Sequence, residues 1–258
     1  MTDNSQLPPG FDTLWGLREA PRRGPKPGLS IELIVDTAIE IADAENLGAV
    51  SMARVAERLG HTAMSLYRYV RSKDELLALM IDMGAATHPP PEPVEGDDWR
   101  ANLERWAVAL ATLYRTHRWV LEVPLGTQPP AGPGQLSWLD RGLAAMAGTR
   151  VPAEVRVGCI LLLLTYIRGE FRFALDYSES RPPRGTENAV PPLPYGNLLR
   201  RVVDPQRMPA LAEAIDAGVF DGVQELYAEG DLEEQLRFGL PRVLDGIAVL
   251  VSSFEAEG

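Results

Sequence analysis

"VSMARVAERLGHTAMSLYRYVRSKDELLALM", residues 50–80, contains three helix starts in close succession. Ser51, Thr62 and Ser72 each stand just before an apolar period, where a side-chain oxygen can accept from a free N–H of the first turn. After Ser51 the run "MARVAERL" turns Met52, Val55, Ala56 and Leu59 inward, and Gly60 stops it. After Thr62, Leu66 and Val70 lie four apart and face the core, which leaves Tyr67 and Arg68 on other faces. In "SKDE", Ser72 and Glu75 have capping-box spacing. The helix they open continues through Leu76, Leu77, Leu79, Met80 and Met83.

A helix, a glycine turn and a second helix with a polar and aromatic outer face form a helix-turn-helix, whose second helix enters the major groove of DNA. The residue types agree. Tyr67, Arg68, Tyr69, Arg71 and Lys73 cluster where neither a packing stripe nor a solvated face calls for that mixture. Hydroxyl and ammonium groups donate to phosphates, and arginine reads guanine bidentately. Net charge is −11, yet from Val50 to Lys73 five Lys/Arg stand against one acid, a local +4 that would steer toward phosphate. Chance clustering on a solvated face is the bland alternative.

Upstream, Ser30 caps a run in which Ile31, Ile34, Val35, Ala38, Ile39 and Ala42 share a face, and Asn46 falls where a left-handed helix exit is expected. Residues 1–29 are rich in Pro and Gly and read as a flexible arm with a basic tip. Its Arg22, Arg23 and Lys26 either track a minor groove or trail as a tail. Downstream, "PPPEPVEGDD" cannot be helical and separates a DNA-binding domain, 30–87, from a second domain, 95–258. There the pattern predicts helices over Trp99–Thr116, Gly134–Ala147, Pro152 to about Tyr177, Pro209–Val219 and Asp231–Phe254. "RTHRWVLEVPLG" is a shorter element ending at Pro124, 180–196 a loop, and Pro241 a kink or a helix start. No period-2 alternation is long enough for a sheet. The fold class is all-α: a three-helix helix-turn-helix domain joined by a fourth helix to a C-terminal helical domain.

Residues 50–80 resemble the DNA-binding signature of TetR-family transcriptional regulators, most specifically in "LYRYV" followed by "SKDELL". "DDWRANLERWA", "THRWVLEVP", "GPGQLSWLD" and "YIRGEFRFAL" resemble the tetracycline-repressor-like C-terminal region of one branch. The resemblance implies that Ala63, Met64, Ser65, Tyr67 and Arg68 meet bases, that Tyr69 and Lys73 grip phosphate, and that Ser51 both caps and touches the backbone. Thr62, capping the reading helix, joins the expected contacts. His61 stands where a small aliphatic residue is usual. Ala63 and Met64 offer no hydrogen bonds, so readout would lean on Arg68, Ser65 and thymine-methyl contacts.

The resemblance further implies a C-terminal half that dimerises and binds a small effector. Leu161 to Leu164 covers every side of its helix, and Leu236, Leu240, Val243, Leu244, Ile247, Leu250 and Val251 form a wide stripe. A homodimer through helices near 152–177 and 231–254 would bury both, and a thick monomer core is the alternative. Trp106, Tyr114, Trp119, Trp138, Tyr166, Phe171 and Phe173 are candidate pocket walls. His117, Gln135, Arg168 and Glu170 would orient the ligand. The expected partners are a palindromic duplex operator, a small molecule and a second copy, with the fourth helix carrying the signal between domains.

An enzyme is not expected. His61, His88 and His117 lack metal-ligand spacing, and there is no glycine-rich phosphate loop or nucleophile elbow, so no catalytic group, metal or cofactor is assigned. An architectural DNA-binding protein would need a uniformly basic surface. The lone Cys159 and the lack of an apolar run after Met1 suit a cytoplasmic protein without a secretory leader. The longest apolar stretch, Val157 to Ile167, is 11 residues, half of a membrane span of roughly 20.

Overall fold

The computed structural model describes residues 7–17, 28–96, 98–124, 131–179, 194–221 and 236–256. Among them are the helices α1 (Phe11–Leu14), α2 (Ile31–Ala44), α3 (Met52–Arg58), α4 (Ala63–Leu66), α5 (Lys73–Thr87) and α6 (Trp99–Thr116). Then come α7 (Pro133–Ala145), α8 (Ala153–Glu179), α9 (Tyr195–Val202), α10 (Pro209–Asp216) and α11 (Gly239–Ala256), with 3-10 turns at Leu47–Ala49 and Arg118–Glu122. No strand occurs among the described residues. None of these helices is long and apolar enough to cross a membrane.

The cap residues act as their sequence positions predict. The side chains of Ser30, Ser51, Thr62 and Ser72 accept from the N–H groups of Leu33, Arg54, Ser65 and Glu75, each satisfying one of the free donors of a first turn. Two local expectations fail. Asn46 is extended rather than left-handed, and its side chain caps the following 3-10 turn by accepting from Ala49 N–H. Glu75 accepts from the Arg71 N–H (2.6 Å), so the return arm of the capping box reaches one residue further back than the Ser72 pattern implies.

Two hydrophobic cores form. The first gathers Ile34, Val35, Ala38 and Ile41 of α2, Val55 of α3, Leu66, Val70, and Leu76, Leu79 and Met80 of α5. The second gathers α6, α7, α8 and α11 around Leu103, Trp106, Met146, Ile160, Leu163, Ile167 and Leu244. Helix α5 serves both. Its carboxyl-terminal half carries Asp82, whose carboxylate accepts from Gln135 N–H (2.9 Å). A Cβ at Gly134 would run into the Asp82 backbone, so glycine is what lets α7 approach this closely.

The arm departs from its sequence reading. Residues 7–17 hold helix α1 against α5, although the proline and glycine content predicts an unattached segment. The physical reason is that Asp12 and Thr13 find partners on the head, at Arg71 and Glu75. Arg22, Arg23 and Lys26 lie outside the described residues, as do most of the 180–196 loop and 231–235 of the last predicted helix. Helix α8 begins at Ala153, with the Pro152 carbonyl accepting from Arg156 N–H, and Pro241 falls in the first turn of α11 as a start rather than a kink. Helices α1 and α9 are additions that periodicity did not predict.

Between α3 and α4 the chain reverses at Gly60 with φ +69°, a left-handed conformation that costs an L-residue with a Cβ about 1–2 kcal/mol. Nothing stands within 4 Å of a Cβ built there, so the penalty for Gly60→Ala is conformational only. We expect that variant to lose about 1 kcal/mol of stability in chemical denaturation with an unchanged m-value.

Candidate nucleic-acid interface and effector-side core

Helix α4 is a single α-turn, but its exit stays ordered. Tyr69 and Val70 both donate to the Leu66 carbonyl (2.8 and 2.9 Å), so Tyr67–Tyr69 continue the coil as a tight turn. Leu66 and Val70 are fully buried and fix which way this turn faces. The outer face then presents Met64, 77% exposed, with Thr62, Tyr67 and Arg68, while Ala63, Ser65 and Tyr69 are half-buried. Ser51 and Lys73 lie exposed at the starts of α3 and α5. The nine expected DNA contacts therefore fall on α3, α4 and their flanks, and His61 beside them is exposed.

Hydrogen bonding limits what each hydroxyl can still do. Ser51 Oγ accepts from Arg54 N–H (3.2 Å), which leaves its proton free to donate. Ser65 Oγ donates to the Thr62 carbonyl (2.6 Å), so it meets an outside group as an acceptor. The basic excess read from the sequence is largely answered within the fold. Arg54 pairs with Glu45, Arg58 with Glu40 (3.7 Å) and Arg71 with Asp12 (3.2 Å).

The expected effector residues divide into three groups. Trp106 and Trp138 are buried and packed edge to face, ring centroids 5.8 Å apart. Their indole N–H groups donate to the carbonyls of Trp138 (2.9 Å) and Ala85 (3.1 Å), which makes them a joint between α6, α7 and α5. His117 and Arg168 form a second group, at the seam between the two cores. Asp43 of α2 receives His117 Nδ1 at 2.9 Å and Trp119 Nε1 at 2.8 Å. A carboxylate only accepts, so Nδ1 carries the proton. Trp119, expected in the effector pocket, packs instead in the core of the DNA-binding head.

Arg168 on α8 is 9% exposed, and its guanidinium donates to the carbonyls of Val120 (3.0 Å), Leu121 (3.0 Å) and Val123. It holds the far side of the 118–122 turn whose near side plugs into the head. His117 and Arg168 are thus each held by protein partners. Neither Asp43 nor this arrangement left a local signal in the sequence, because the contacts join residues more than 40 positions apart.

The third group lies in the second core and at its edge. Tyr114 of α6 meets Phe171 of α8 with centroids 6.4 Å apart, and Arg168 lies 6.0 Å from the Tyr114 ring. Burial pushes the Tyr114 hydroxyl above its ordinary pKa, against the pull of Arg168. Tyr166 and Glu170, one turn apart on α8, are half-buried. Burial raises both, and the Glu170 charge raises Tyr166 further. An aromatic surface with a carboxyl group can orient a ligand by hydrogen bonding.

Comparison with known proteins converges on this reading. Residues 34–80 match the family described as bacterial regulatory proteins, tetR family, and residues 91–251 match the tetracyclin repressor-like C-terminal domain. The HTH-type transcriptional repressor DrrR1 of Streptomyces coeruleorubidus is 34% identical over 247 residues, covering 96% of this chain and 87% of that repressor. Tetracycline repressor protein class D of Escherichia coli is 28% identical over 39% of this chain and 47% of its own length. Among solved structures, ActR of Streptomyces coelicolor in complex with actinorhodin aligns with TM-score 0.66 and 25% identity, over 86% of this chain and 98% of that one. Its apo form aligns with TM-score 0.67 and 23% identity, over 90% and 100%.

With both family models matching its helix-turn-helix head and larger helical body, the protein is a ligand-responsive, DNA-binding transcriptional regulator. The chain belongs to the TetR family. Members of that family bind DNA operators and small effectors, and they dimerise.

Proposed function

We propose that this protein is a homodimeric cytoplasmic repressor that reads a palindromic operator and leaves it when a small molecule binds the second domain. The observation that carries the reading is the outer face of α4 and its turn, where Met64, Tyr67 and Arg68 project beyond the buried Leu66 and Val70. Arg68 is the base reader with the strongest chemistry, Met64 and Ala63 suit thymine methyls, and Ser65 accepts from an exocyclic amine. Ser51, Thr62, Tyr69 and Lys73 flank it as backbone contacts.

Small-residue faces support the dimer. Gly158, Leu162, Thr165 and Gly169 form an exposed stripe on α8, beside Leu161, and Gly246, Val249 and Ser253 form another on α11. Leu161, Leu162 and Val249 are 52%, 50% and 73% exposed in one chain. Each of the three glycines weakens its helix by about 1 kcal/mol relative to alanine, and nothing lies within 4 Å of where its Cβ would be. A second copy seated on both helices gives the missing side chains a purpose, since it allows close helix approach.

For the effector we assign Tyr114, Tyr166, Glu170 and Phe171 as ligand-facing, with Trp106 and Trp138 as the rigid floor behind them. The signal passes from α8 through Arg168 and the 118–122 turn to Asp43, alongside the route through α5. The test is selection of bound duplexes from a random library with purified protein. A palindromic consensus is expected, and no enrichment at moderate salt would remove the reading. On the selected site, Arg68→Ala should weaken binding by about 1–3 kcal/mol and relax preference at one position per half-site. Lys73→Ala should weaken all sequences alike and reduce the salt slope by about one.

A further inference from the structure

Residues 7–17 lie outside both stretches that match the family, yet they are fastened to three elements. Gly10 enters α1 with φ +79° and sits against Glu75 and Ala78 of α5. The next residues make the attachments. Asp12 pairs with Arg71 in the loop between α4 and α5 (3.2 Å), and Thr13 Oγ1 donates to Glu75 Oε1 in the first turn of α5 (2.9 Å). Trp15 Nε1 donates to the carbonyl of Ala131, two residues before α7 (2.7 Å). The other oxygen of Glu75 accepts from Arg71 N–H (2.6 Å), so the side chain that receives the arm also fixes the backbone leaving the reading turn.

We propose that α1 is a strap that couples the reading head to the entrance of α7, so that operator affinity depends on the effector domain through the strap as well as through α5. This rests on the DNA-binding reading above. Thr13 and Trp15 are two residues apart on one short helical segment, while their partners, Glu75 and Ala131, belong to the head and to the body. A displacement at the start of α7 pulls on Trp15, and a rigid α1 delivers it through Thr13 and Asp12 to Glu75 and Arg71. Arg71 belongs to the basic cluster of the reading region, and Asp12 sets the direction its guanidinium faces.

The test uses the full-length chain with Thr13→Val, Trp15→Phe and both together. Thr13→Val removes the hydrogen bond to Glu75 and leaves the Asp12–Arg71 pair in place. Trp15→Phe keeps the ring and removes only the attachment to the body. Amide exchange is measured on free protein, so its outcome does not depend on finding an operator. Each single variant should speed exchange at the other's anchor: Trp15→Phe in residues 73–78, and Thr13→Val in residues 134–138, each about fivefold. On the selected duplex each should weaken binding about fivefold, and the double variant little more than either single, because loosening either end interrupts the same link. The proposal is overturned if exchange changes stay local to the substituted anchor. It is equally overturned if wild type binds the duplex and all three variants match it. A wild type that binds no duplex would count against the DNA reading instead, with the exchange measurement still deciding the strap.

Discussion

Replacing Leu161 and Leu162 together by Glu should convert the protein to a monomer and weaken operator binding on the order of a hundredfold or more. The argument starts from the fold of one chain. Both leucines are half exposed on α8, Leu162 in line with Gly158, Thr165 and Gly169 and Leu161 beside that stripe. Buried across a two-fold axis, each would be met twice, so two substitutions introduce four carboxylates into one apolar interface, and unpaired buried charge is strongly opposed. Neither side chain supports its own chain's core, which uses Ile160, Leu163 and Ile167 from the other side of α8. The monomer should therefore stay folded, with helical circular dichroism retained and half the mass by light scattering. Loss of DNA binding follows from geometry. A dimer presents its second head at high effective concentration once the first is seated, and a monomer has only its single half-site affinity. A variant that remains dimeric, or a monomer with undiminished affinity, would refute the assigned interface.

What the sequence showed and hid divides along a physical line. Residues 50–80 were legible because local rules dominate there: three hydroxyl caps, one glycine reversal, and apolar spacing that fits a single helical face. Trp99–Thr116 has the limits its pattern predicts, with Asp98 as its cap. Less legible were residues with more than one chemically reasonable partner. Trp119 and His117 look like pocket residues because they are amphipathic, and nothing local announces that Asp43 on α2 holds both. Arg168 resembles a ligand anchor until the 118–122 carbonyls close around it. The basic count over Val50–Lys73 could not register that Glu45, Glu40 and Asp12 would fold onto it. Helix α1 was hidden for a related reason: its four residues hold together through contacts with α5 more than through any periodicity of their own.

Arg168→Met should cost about 3 kcal/mol of stability and weaken operator binding, although it touches no residue of the reading face. Methionine preserves the apolar stem and comparable length, so the change isolates the guanidinium. Without it the carbonyls of Val120, Leu121 and Val123 lose charged donors in a site where Arg168 is nine-tenths buried, and breaking such a network is among the few single changes that cost this much. Leu121 keeps Arg172 as a donor (3.2 Å), so the turn should loosen rather than collapse. The loosening reaches the head because Trp119 and His117 are part of the same turn and are held by Asp43. Indole fluorescence would report it as increased quenching, with Trp119→Phe identifying the contribution of that residue. The decisive measurement is a double-mutant cycle on stability between Arg168→Met and Trp119→Phe, which act on opposite sides of the turn. A coupling of about 1 kcal/mol is expected if the turn moves as a unit, and additivity within about 0.5 kcal/mol would show that α8 and the head do not communicate through it.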